Sequence, residues 1–257
     1  MKQVRFRDPA GSTRTGRWTD DGIEFANRTY DPGEVDVLPP VEPSKFVCLG
    51  SNYVEHIKEG NGEIPDRPLL FLKGPNAVAG HGDTVTIPDV DLDEDELPDH
   101  PMAGDGRIDY EAELGVVIGE QCRNVDAADA EDVVAGYTCA NDISNREDQL
   151  IETNWVRGKA FDNASPIGPV LATPEHVDPD PRIRLYQNGE LKQDSEDDEL
   201  VFSVGEAIEA ITEYVTLEED DVVLMGTTYG VGPLEDGDTI EIEIDGIGTL
   251  EHDVREE

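Results

Sequence analysis

The sequence is short of positive charge. Its 257 residues include 19 Lys+Arg against 60 Asp+Glu, so the formal net charge is -41. Such a charge repels nucleic acids and anionic membrane surfaces, and it destabilises the compact state unless salt screens the repulsion. Because 37% of the residues are apolar, a core is still possible, and we expect a folded protein rather than a disordered one. An acidic, hydrated surface of this kind is typical of a halophilic, salt-accumulating cell.

The sequence also has few cysteines and no long hydrophobic run. Cys48, Cys122 and Cys139 are odd in number and form no CxxC pair. Neither a zinc knuckle nor a disulfide framework is indicated, and we expect buried free thiols. No apolar run approaches the ~20 residues of a membrane-spanning helix, and the first residues lack the hydrophobic region of a signal peptide. The sequence therefore predicts a soluble, cytoplasmic protein with no nucleic-acid or membrane partner.

Short strands dominate the pattern along the chain. Residues 1–43 predict a small N-terminal β region, and residues 44–257 predict the main domain. The stretch 89–107 is rich in acids, Pro and Gly, which is typical of a surface insertion. Apolar and polar residues alternate on both sides of Asp245-Gly246, which predicts a closing hairpin. Because strands outnumber helices and do not alternate regularly with them, the predicted fold class is α+β, mainly β.

Helix starts are marked by two candidate capping boxes. Asn52 with Glu55 predicts one in the segment "SNYVEHIKEGN", and Ser203 with Glu206 predicts another in "SVGEAIEAITEYV". A third short helix is predicted over 126–136, "DAADAEDVVAG".

Three acids stand at alternate positions of the predicted strand "DYEAELGVV". Side chains of a strand point to alternate faces, so Asp109, Glu111 and Glu113 share one face. The same spacing would serve an exposed face of an acidic protein, although the apolar "LGVVIG" that follows favours a covered strand. Carboxylates from this strand and Asp142, in "CANDIS", would form an oxygen-only site suited to Mg²⁺, Mn²⁺ or Ca²⁺. Spacing alone supports a site and a surface about equally.

One of the five histidines has a suggestive setting. On a helix, His56 and Glu59 lie on the same face, three residues apart. A carboxylate beside an imidazole can orient it as a base and stabilise its charged form. Taken alone, the segment favours an exposed helix of an acidic protein over an active site.

Five segments, taken in order, resemble the fumarylacetoacetate hydrolase family, in its acylpyruvase and 2-hydroxyhepta-2,4-diene-1,7-dioate isomerase-like branch. The resemblance covers the chain from residue 45 to its end. It is carried by "GSNYVEHIKE", "DYEAELGVVIG", "NDISNREDQ", "GKAFDNASPIGP" and "MGTTYGVGPLEDGD". Each segment is modestly specific by itself, and their common order makes the resemblance strong.

The resemblance implies a fold, a metal site and an assembly. The fold would be the family's rolled, mixed β-sheet domain, and the assembly a homodimer. Glu111, Glu113 and Asp142 would hold Mg²⁺ or Mn²⁺, with Ca²⁺ as a further option. Asp109 precedes the part of "DYEAELGVVIG" that matches the family's Y-E-x-E-L pattern, and it is expected to be a bystander on the same face.

The resemblance also implies roles for six other side chains. His56 and Glu59 would form a water-activating pair on a lid, and Lys159 would complete the catalytic set by offsetting negative charge. The expected substrate-binding residues are Lys73, Thr227 and Tyr229. The chain departs from the family pattern at Thr228-Tyr229, which stand where the family has Pro and a small residue.

The expected function is a divalent-metal-dependent hydrolase that cleaves a carbon–carbon bond of acylpyruvate-type 2-oxo acids through a metal-stabilised enolate. An isomerase or decarboxylase of 2-hydroxyhepta-2,4-dienedioate- or oxaloacetate-like acids, as in aromatic catabolism, would use the same site. So would a 2-keto-3-deoxy sugar acid dehydratase. The alternative outside enzymology is an acidic protein that binds cations through surface carboxylates.

Overall fold

The structure is a computed structural model that describes residues 1–60, 62–89, 107–178, 180–196 and 199–257. Nearly all of the predicted insertion at 89–107 lies outside these ranges. Strands dominate the described residues, which confirms the mainly β class. None of the helices in these ranges has the length and apolarity that a membrane crossing requires.

The largest sheet in the described ranges has twelve strands. They are β1 Lys2–Arg7, β2 Thr13–Thr19, β3 Gly22–Phe25, β4 Arg28–Tyr30, β5 Asp36–Leu38, β6 Phe46–Gly50, β7 Leu69–Lys73, β8 Val78–Ala79, β11 Ala112–Ile118, β12 Val134–Asn141, β14 Ser165–Ala172 and β17 Val222–Thr227. The order is β4-β3-β2-β1-β14-β12-β11-β17-β6-β7, with β5 beside β1 and β8 beside β14. Residues 1–43 contain β1 to β5, and β1 pairs with β14, so these strands lie in the same sheet as strands from later in the chain.

Two smaller sheets and four α-helices complete the described fold. One sheet has the order β13-β10-β18, from Ser144–Asn145, Ile108–Tyr110 and Gly232–Pro233. The other has the order β16-β15-β19-β20-β9, from Glu190–Asp194, Ile183–Gln187, Thr239–Ile244, Gly248–Glu256 and Thr84–Ile87. The helices are α1 Val54–Glu59, α2 Arg146–Ile151, α3 Val156–Lys159 and α4 Val204–Thr212. Short 3-10 helices occupy Pro32–Glu34, Pro75–Ala77, Ala127–Val133 and Pro174–His176.

The core forms where the two larger sheets face each other. Strands β15, β19 and β20 pack on β11, β12 and β14. Every residue of β11 is buried, as expected for a central strand covered on both faces. The predicted hairpin is confirmed, since β19 and β20 pair antiparallel up to Ile244 and Gly248, with Gly246 at a φ of 85° in the turn.

The two predicted capping boxes have different outcomes. Ser203 and Glu206 form theirs at the start of α4, with both reciprocal hydrogen bonds present. The box predicted at Asn52 is wrong, because α1 begins after Tyr53 without a side-chain cap. Asn52 is buried, and its amide instead donates to Met225 O at 2.8 Å and Phe202 O at 3.1 Å. Buried backbone acceptors outweigh the local helix end, since leaving them unpaired is costly.

The helix predicted over 126–136 is shorter and tighter than expected. A 3-10 helix covers Ala127–Val133, and β12 begins directly after it at Val134. The terminal Gly136 of the prediction therefore lies inside a strand, where Ala172 O would be 2.3 Å from an added Cβ. The glycine permits close strand approach rather than ending a helix.

Candidate active site

Three buried carboxylates meet where β11 and β12 end. Glu113 lies on β11, Glu111 lies just before it, and Asp142 follows β12 directly. The pairing of Ala112 with Asn141 and the hydrogen bond from Asp142 N to Glu111 O, 2.9 Å, bring the two chain segments together. One oxygen from each carboxylate lies within 4.8 Å of the others.

The strand predicted over "DYEAELGVV" is interrupted at Glu111, which lies between β10 and β11. The Glu111 amide donates to Asn141 Oδ1 and the Ala112 amide to Gln193 Oε1, both at 2.9 Å. The amides of these two residues thus bind side-chain oxygens instead of the backbone carbonyls of a neighbouring strand. Asp109 consequently lies on β10, in a different sheet from Glu113.

Lysines and an arginine surround the carboxylates. Lys159, at the end of α3, places its ammonium 2.8 Å from Glu111 Oε2 and 2.9 Å from Asp142 Oδ2. Lys73, on β7, contacts Asp142 Oδ1. Arg146 Nη2 lies 2.6 Å from Glu111 Oε1. All three cations are buried, in a chain that has few basic residues.

These neighbours shift the pKa values of Glu111 and Glu113 in opposite directions. Burial alone would raise the pKa of Glu111, but Lys159, Arg146 and then His56 outweigh it, so the pKa lies well below its ordinary value. The pKa of Glu113 is raised well above its ordinary value by burial and by the charges of Asp142 and Glu111. Glu113 accepts a hydrogen bond from Gly226 N at 2.7 Å. Among the described residues, no ion pair reaches it.

The donor set fits a hard divalent cation. All three side chains are carboxylates, the ligands that Mg²⁺ and Mn²⁺ favour. Asp142 Oδ1 is buried and accepts no hydrogen bond from the described residues, although Lys73 lies against it. Glu113 is a buried carboxylate that forms no ion pair with the residues the structure describes, and a metal ion would provide its counter-charge. The residues present therefore suit a metal site.

The histidine pair is held beside this cluster. His56 Nδ1 lies 3.4 Å from Glu59 Oε2, and both Glu59 oxygens accept from Gly230 N at 3.3 Å. The hydrogen bond with His56 lowers the pKa of Glu59, burial opposes it, and the Gly230 bond adds to the lowering. Glu59 is thus an anion that orients His56. Since His56 also lowers the pKa of Glu111, it lies within electrostatic reach of the three carboxylates.

The three expected substrate-binding residues have different surroundings. Thr227 is buried, and its hydroxyl donates to Ala112 O at 3.0 Å and accepts from Gln193 Nε2 at 2.9 Å. Tyr229 is 40% exposed and lines an open cavity of about 500 Å³ with Glu59 and other residues of α1. Lys73 is fully buried and donates to Ala164 O and Ser165 Oγ at 2.7 and 3.0 Å. Lys73 is therefore buried against Asp142, whereas Tyr229 lies at an open cavity beside α1.

Several residues that hold the cluster in place escape sequence reasoning. Arg146 lies inside the quoted segment "NREDQ", and its basic charge in an acidic chain was the available signal. Asp109 stays outside the metal triad, as expected, but it is fully buried and paired with Arg107 and Arg146. It is not part of an exposed acidic face.

A buried histidine supports the backbone of Glu111. His252, on β20, places Nε2 2.9 Å from Asn141 Nδ2, and Asn141 in turn accepts from the Glu111 amide. Burial lowers the pKa of His252 to about 4, so its ring is neutral at pH 7. Its partners assign the proton to Nδ1, which faces Asp253 O at 3.3 Å, and leave Nε2 as the acceptor.

The chain is similar to known proteins over most of its length. The family model described as "Fumarylacetoacetate (FAA) hydrolase C-terminal" matches residues 45–255. Oxaloacetate tautomerase YisK from Bacillus subtilis is 36% identical over 244 residues, which cover 90% of this chain and 77% of that protein. The structure of 5-carboxymethyl-2-hydroxymuconate delta-isomerase from Mycobacterium smegmatis has a TM-score of 0.83 and 31% identity, with 100% of both chains covered. Maleylpyruvate hydrolase from Sphingobium sp. SYK-6, in complex with manganese (II) ion and pyruvate, has a TM-score of 0.77 and 26% identity, with 100% of this chain and 99% of that chain covered.

Proposed function

The chain belongs to the fumarylacetoacetate hydrolase family, and we propose that it is a divalent-metal-dependent tautomerase or isomerase of 2-oxo diacids. The reaction would move a proton at the carbon next to the 2-oxo group. The observation that carries this proposal is the buried triad of Glu111, Glu113 and Asp142, with the His56–Glu59 pair beside it.

We assign Mg²⁺ or Mn²⁺ to the triad. The acid set and the raised pKa of Glu113 support a divalent cation, and a similar hydrolase contains manganese (II). A cation bound there would supply Lewis-acid stabilisation of negative charge on the 2-oxo oxygen of the substrate.

Charged groups around the site favour an anionic substrate once a divalent cation is bound. The carboxylates of Asp109, Glu111, Glu113 and Asp142 face an equal number of cations, from Lys73, Arg107, Arg146 and Lys159. Glu59 adds one further negative charge. A divalent cation would therefore leave a net positive charge, which a carboxylate of a 2-oxo acid would offset.

Proton transfer falls to His56 in this proposal. Glu59 engages Nδ1, which leaves Nε2 to exchange a proton with the substrate. Burial works against the charge of Lys159, but Asp142 and Glu111 outweigh it and raise its pKa. Lys159 therefore remains a cation that offsets developing negative charge and does not act as a base.

Hydrolysis of an acylpyruvate-type acid is the second candidate. His56 could take its proton from water instead of from carbon, and the pair with Glu59 suits either donor. We rank tautomerisation first because YisK, an oxaloacetate tautomerase, is 36% identical to this chain, whereas the maleylpyruvate hydrolase is 26% identical.

A paired assay on the Mn²⁺-loaded protein tests the proposal. Enol-oxaloacetate is mixed with the enzyme, and the loss of enol absorbance is followed together with pyruvate formation; acetylpyruvate is assayed for cleavage in parallel. We expect enol loss well above the uncatalysed rate, without matching pyruvate formation, and we expect His56→Ala to slow it by about 100-fold or more. Acetylpyruvate cleavage without enol loss would favour the second candidate. Inactivity on both substrates, with Mn²⁺ bound, would contradict the proposal.

A further inference from the structure

Asp109 is a buried carboxylate that lies outside the triad of Glu111, Glu113 and Asp142. Its side chain is 0% exposed, and it lies on β10, which pairs with β13 and β18 rather than with the strands that carry the triad. Two arginines engage it. Arg107 Nε donates to Oδ1 at 2.6 Å, and Arg146 Nε donates to Oδ2 at 2.8 Å.

Arg146 connects Asp109 to the metal site. Its planar guanidinium donates from Nε to Asp109 and from Nη1 to Gln149 Oε1 at 2.9 Å. The remaining nitrogen, Nη2, lies 2.6 Å from Glu111 Oε1. A rigid fork held at two points has little freedom at the third. Asp109 and Gln149, which bind the other two nitrogens, therefore fix the position of Nη2 against Glu111.

Each carboxylate oxygen of Glu111 therefore contacts a cation. Arg146 engages Oε1, while Lys159 engages Oε2 and also contacts Asp142 Oδ2. Lys159 therefore bridges Oε2 of Glu111 and Oδ2 of Asp142, two of the three carboxylates that converge. Loss of the contact between Arg146 and Oε1 would allow the Glu111 carboxylate to rotate.

We propose that Asp109 is a positioning residue for the metal site. It holds the Arg146 guanidinium in place, so that Glu111 keeps Oε2 against Lys159, which bridges it to Asp142. This inference rests on the proposed function, because it concerns the affinity of the triad for a divalent cation. Groups that orient a metal ligand from outside the coordination sphere commonly change metal affinity 10–100-fold when they are altered.

Asparagine is the informative replacement at this position. It has nearly the same shape as aspartate, but Arg107 and Arg146 use different oxygens of Asp109, so one of them would face an NH₂ group instead of its acceptor. Arg146 would then depend on Glu111 as its carboxylate partner and would compete with the cation for it. The matched control is Asp221→Asn, because Asp221 is also buried and paired with a cation, Lys45. Asp221 precedes β17, at the opposite end of that strand from Thr227, which lies at the site.

The experiment is a calorimetric titration of Mn²⁺ into the chelator-treated full chain. We expect the affinity of Asp109→Asn to fall about 10–100-fold and that of Asp221→Asn to match the wild type. Because Asp109 acts through Arg146, we expect Asp109→Asn to add no further loss in an Arg146→Met background, as a double-mutant cycle would show.

Two results would overturn the inference. One is wild-type Mn²⁺ affinity in Asp109→Asn, and the other is a further 10–100-fold loss when Asp109→Asn is added to Arg146→Met. If Asp109→Asn does not fold, Arg146→Lys makes the test, because one ammonium cannot span the three partners of the fork; wild-type affinity there would also overturn it. A wild-type chain that binds no Mn²⁺ at a single site would instead contradict the proposed function, so the two failures are distinguishable.

Discussion

Asp221 and Glu113 are buried carboxylates near neighbouring strands, and they are neutralised in different ways. Asp221 accepts hydrogen bonds from Ser44 N, Ser44 Oγ and Lys45 N on one oxygen, and from Glu218 N and the Lys45 ammonium on the other. Glu113 accepts from the Gly226 amide and faces the like charges of Glu111 and Asp142. Both groups are desolvated, but within the described residues Asp221 has five hydrogen-bond donors and Glu113 has one.

The difference shows how a functional acid can be recognised in an acidic protein. A structural carboxylate, such as Asp221, carries enough donors to offset the loss of water. A carboxylate that is buried among other carboxylates, with few donors, is stable only if a cation or a proton joins it. The number of acids in the chain says nothing about this, whereas their partners do.

The largest expected effect comes from removing a triad ligand. Asp142→Asn should lower kcat by at least about 1,000-fold, roughly 4 kcal/mol, because the cation that stabilises charge on the substrate would be lost or misplaced. Steady-state kinetics with Mn²⁺ measure this, and Glu131→Gln, at an exposed acid, is the matched control. A comparable loss of kcat in both variants would show that Asp142 is no more important for activity than an exposed acid.

The structural carboxylate should show the opposite pattern. Asp221→Ala leaves Lys45 without its anion and several amides without an acceptor. We expect the free energy of unfolding to fall by about 3–5 kcal/mol, measured by denaturant titration at fixed salt. Mn²⁺ affinity should stay within a factor of two or so of the wild type. A stability loss below about 1 kcal/mol would show that Asp221 is not the satisfied ion pair described above.

His252 should make the fold sensitive to acid. Its folded pKa of about 4 lies below the ordinary value of 6.5, so the unfolded chain takes up a proton first as the pH falls. Its contribution to stability is complete above pH 6.5 and is lost between 6.5 and about 4, by roughly 3 kcal/mol. The stability difference between the wild type and His252→Gln, plotted against pH, should close by that amount. A constant difference would mean that His252 does not titrate in this window.

The smallest expected effect distinguishes Glu113 from Asp221 most clearly. Glu113→Gln removes a like charge from the triad while keeping its shape, so the metal-free protein should gain about 1 kcal/mol of unfolding free energy. Excess Mn²⁺ should stabilise the wild type but not the variant. Thermal denaturation with a chelator and with Mn²⁺ gives both comparisons. Destabilisation of the metal-free variant would show that the Glu113 carboxylate, like that of Asp221, is stabilised by protein groups.

Much of the fold could be predicted from local sequence. The capping box at Ser203 and Glu206 and the hairpin at Asp245-Gly246 depend on residues close together in the chain, and both are present. The cap predicted at Asn52 is absent because its side chain bonds to backbone groups 150 and 173 residues away. Pattern rules contain no information about such distant partners.

The site was predictable in composition but not in arrangement. The acids at alternate positions were visible, and the resemblance separated Glu111 and Glu113 from Asp109. The break in the strand depends on the side chains of Asn141 and Gln193, which lie 30 and 81 residues from the amides they bind. The link from Asp109 through Arg146 to Glu111 exists only once α2 is placed against that break.

The central claim is that Glu111, Glu113 and Asp142 form one divalent-cation site rather than part of an acidic surface. The most direct measurement is a calorimetric Mn²⁺ titration of the wild type, Glu111→Gln and the exposed control Glu131→Gln, at a salt concentration that screens surface charge. We expect one tight site per chain in the wild type and the control, and no such site in Glu111→Gln. Weak binding of several ions that is the same in all three proteins would contradict the account.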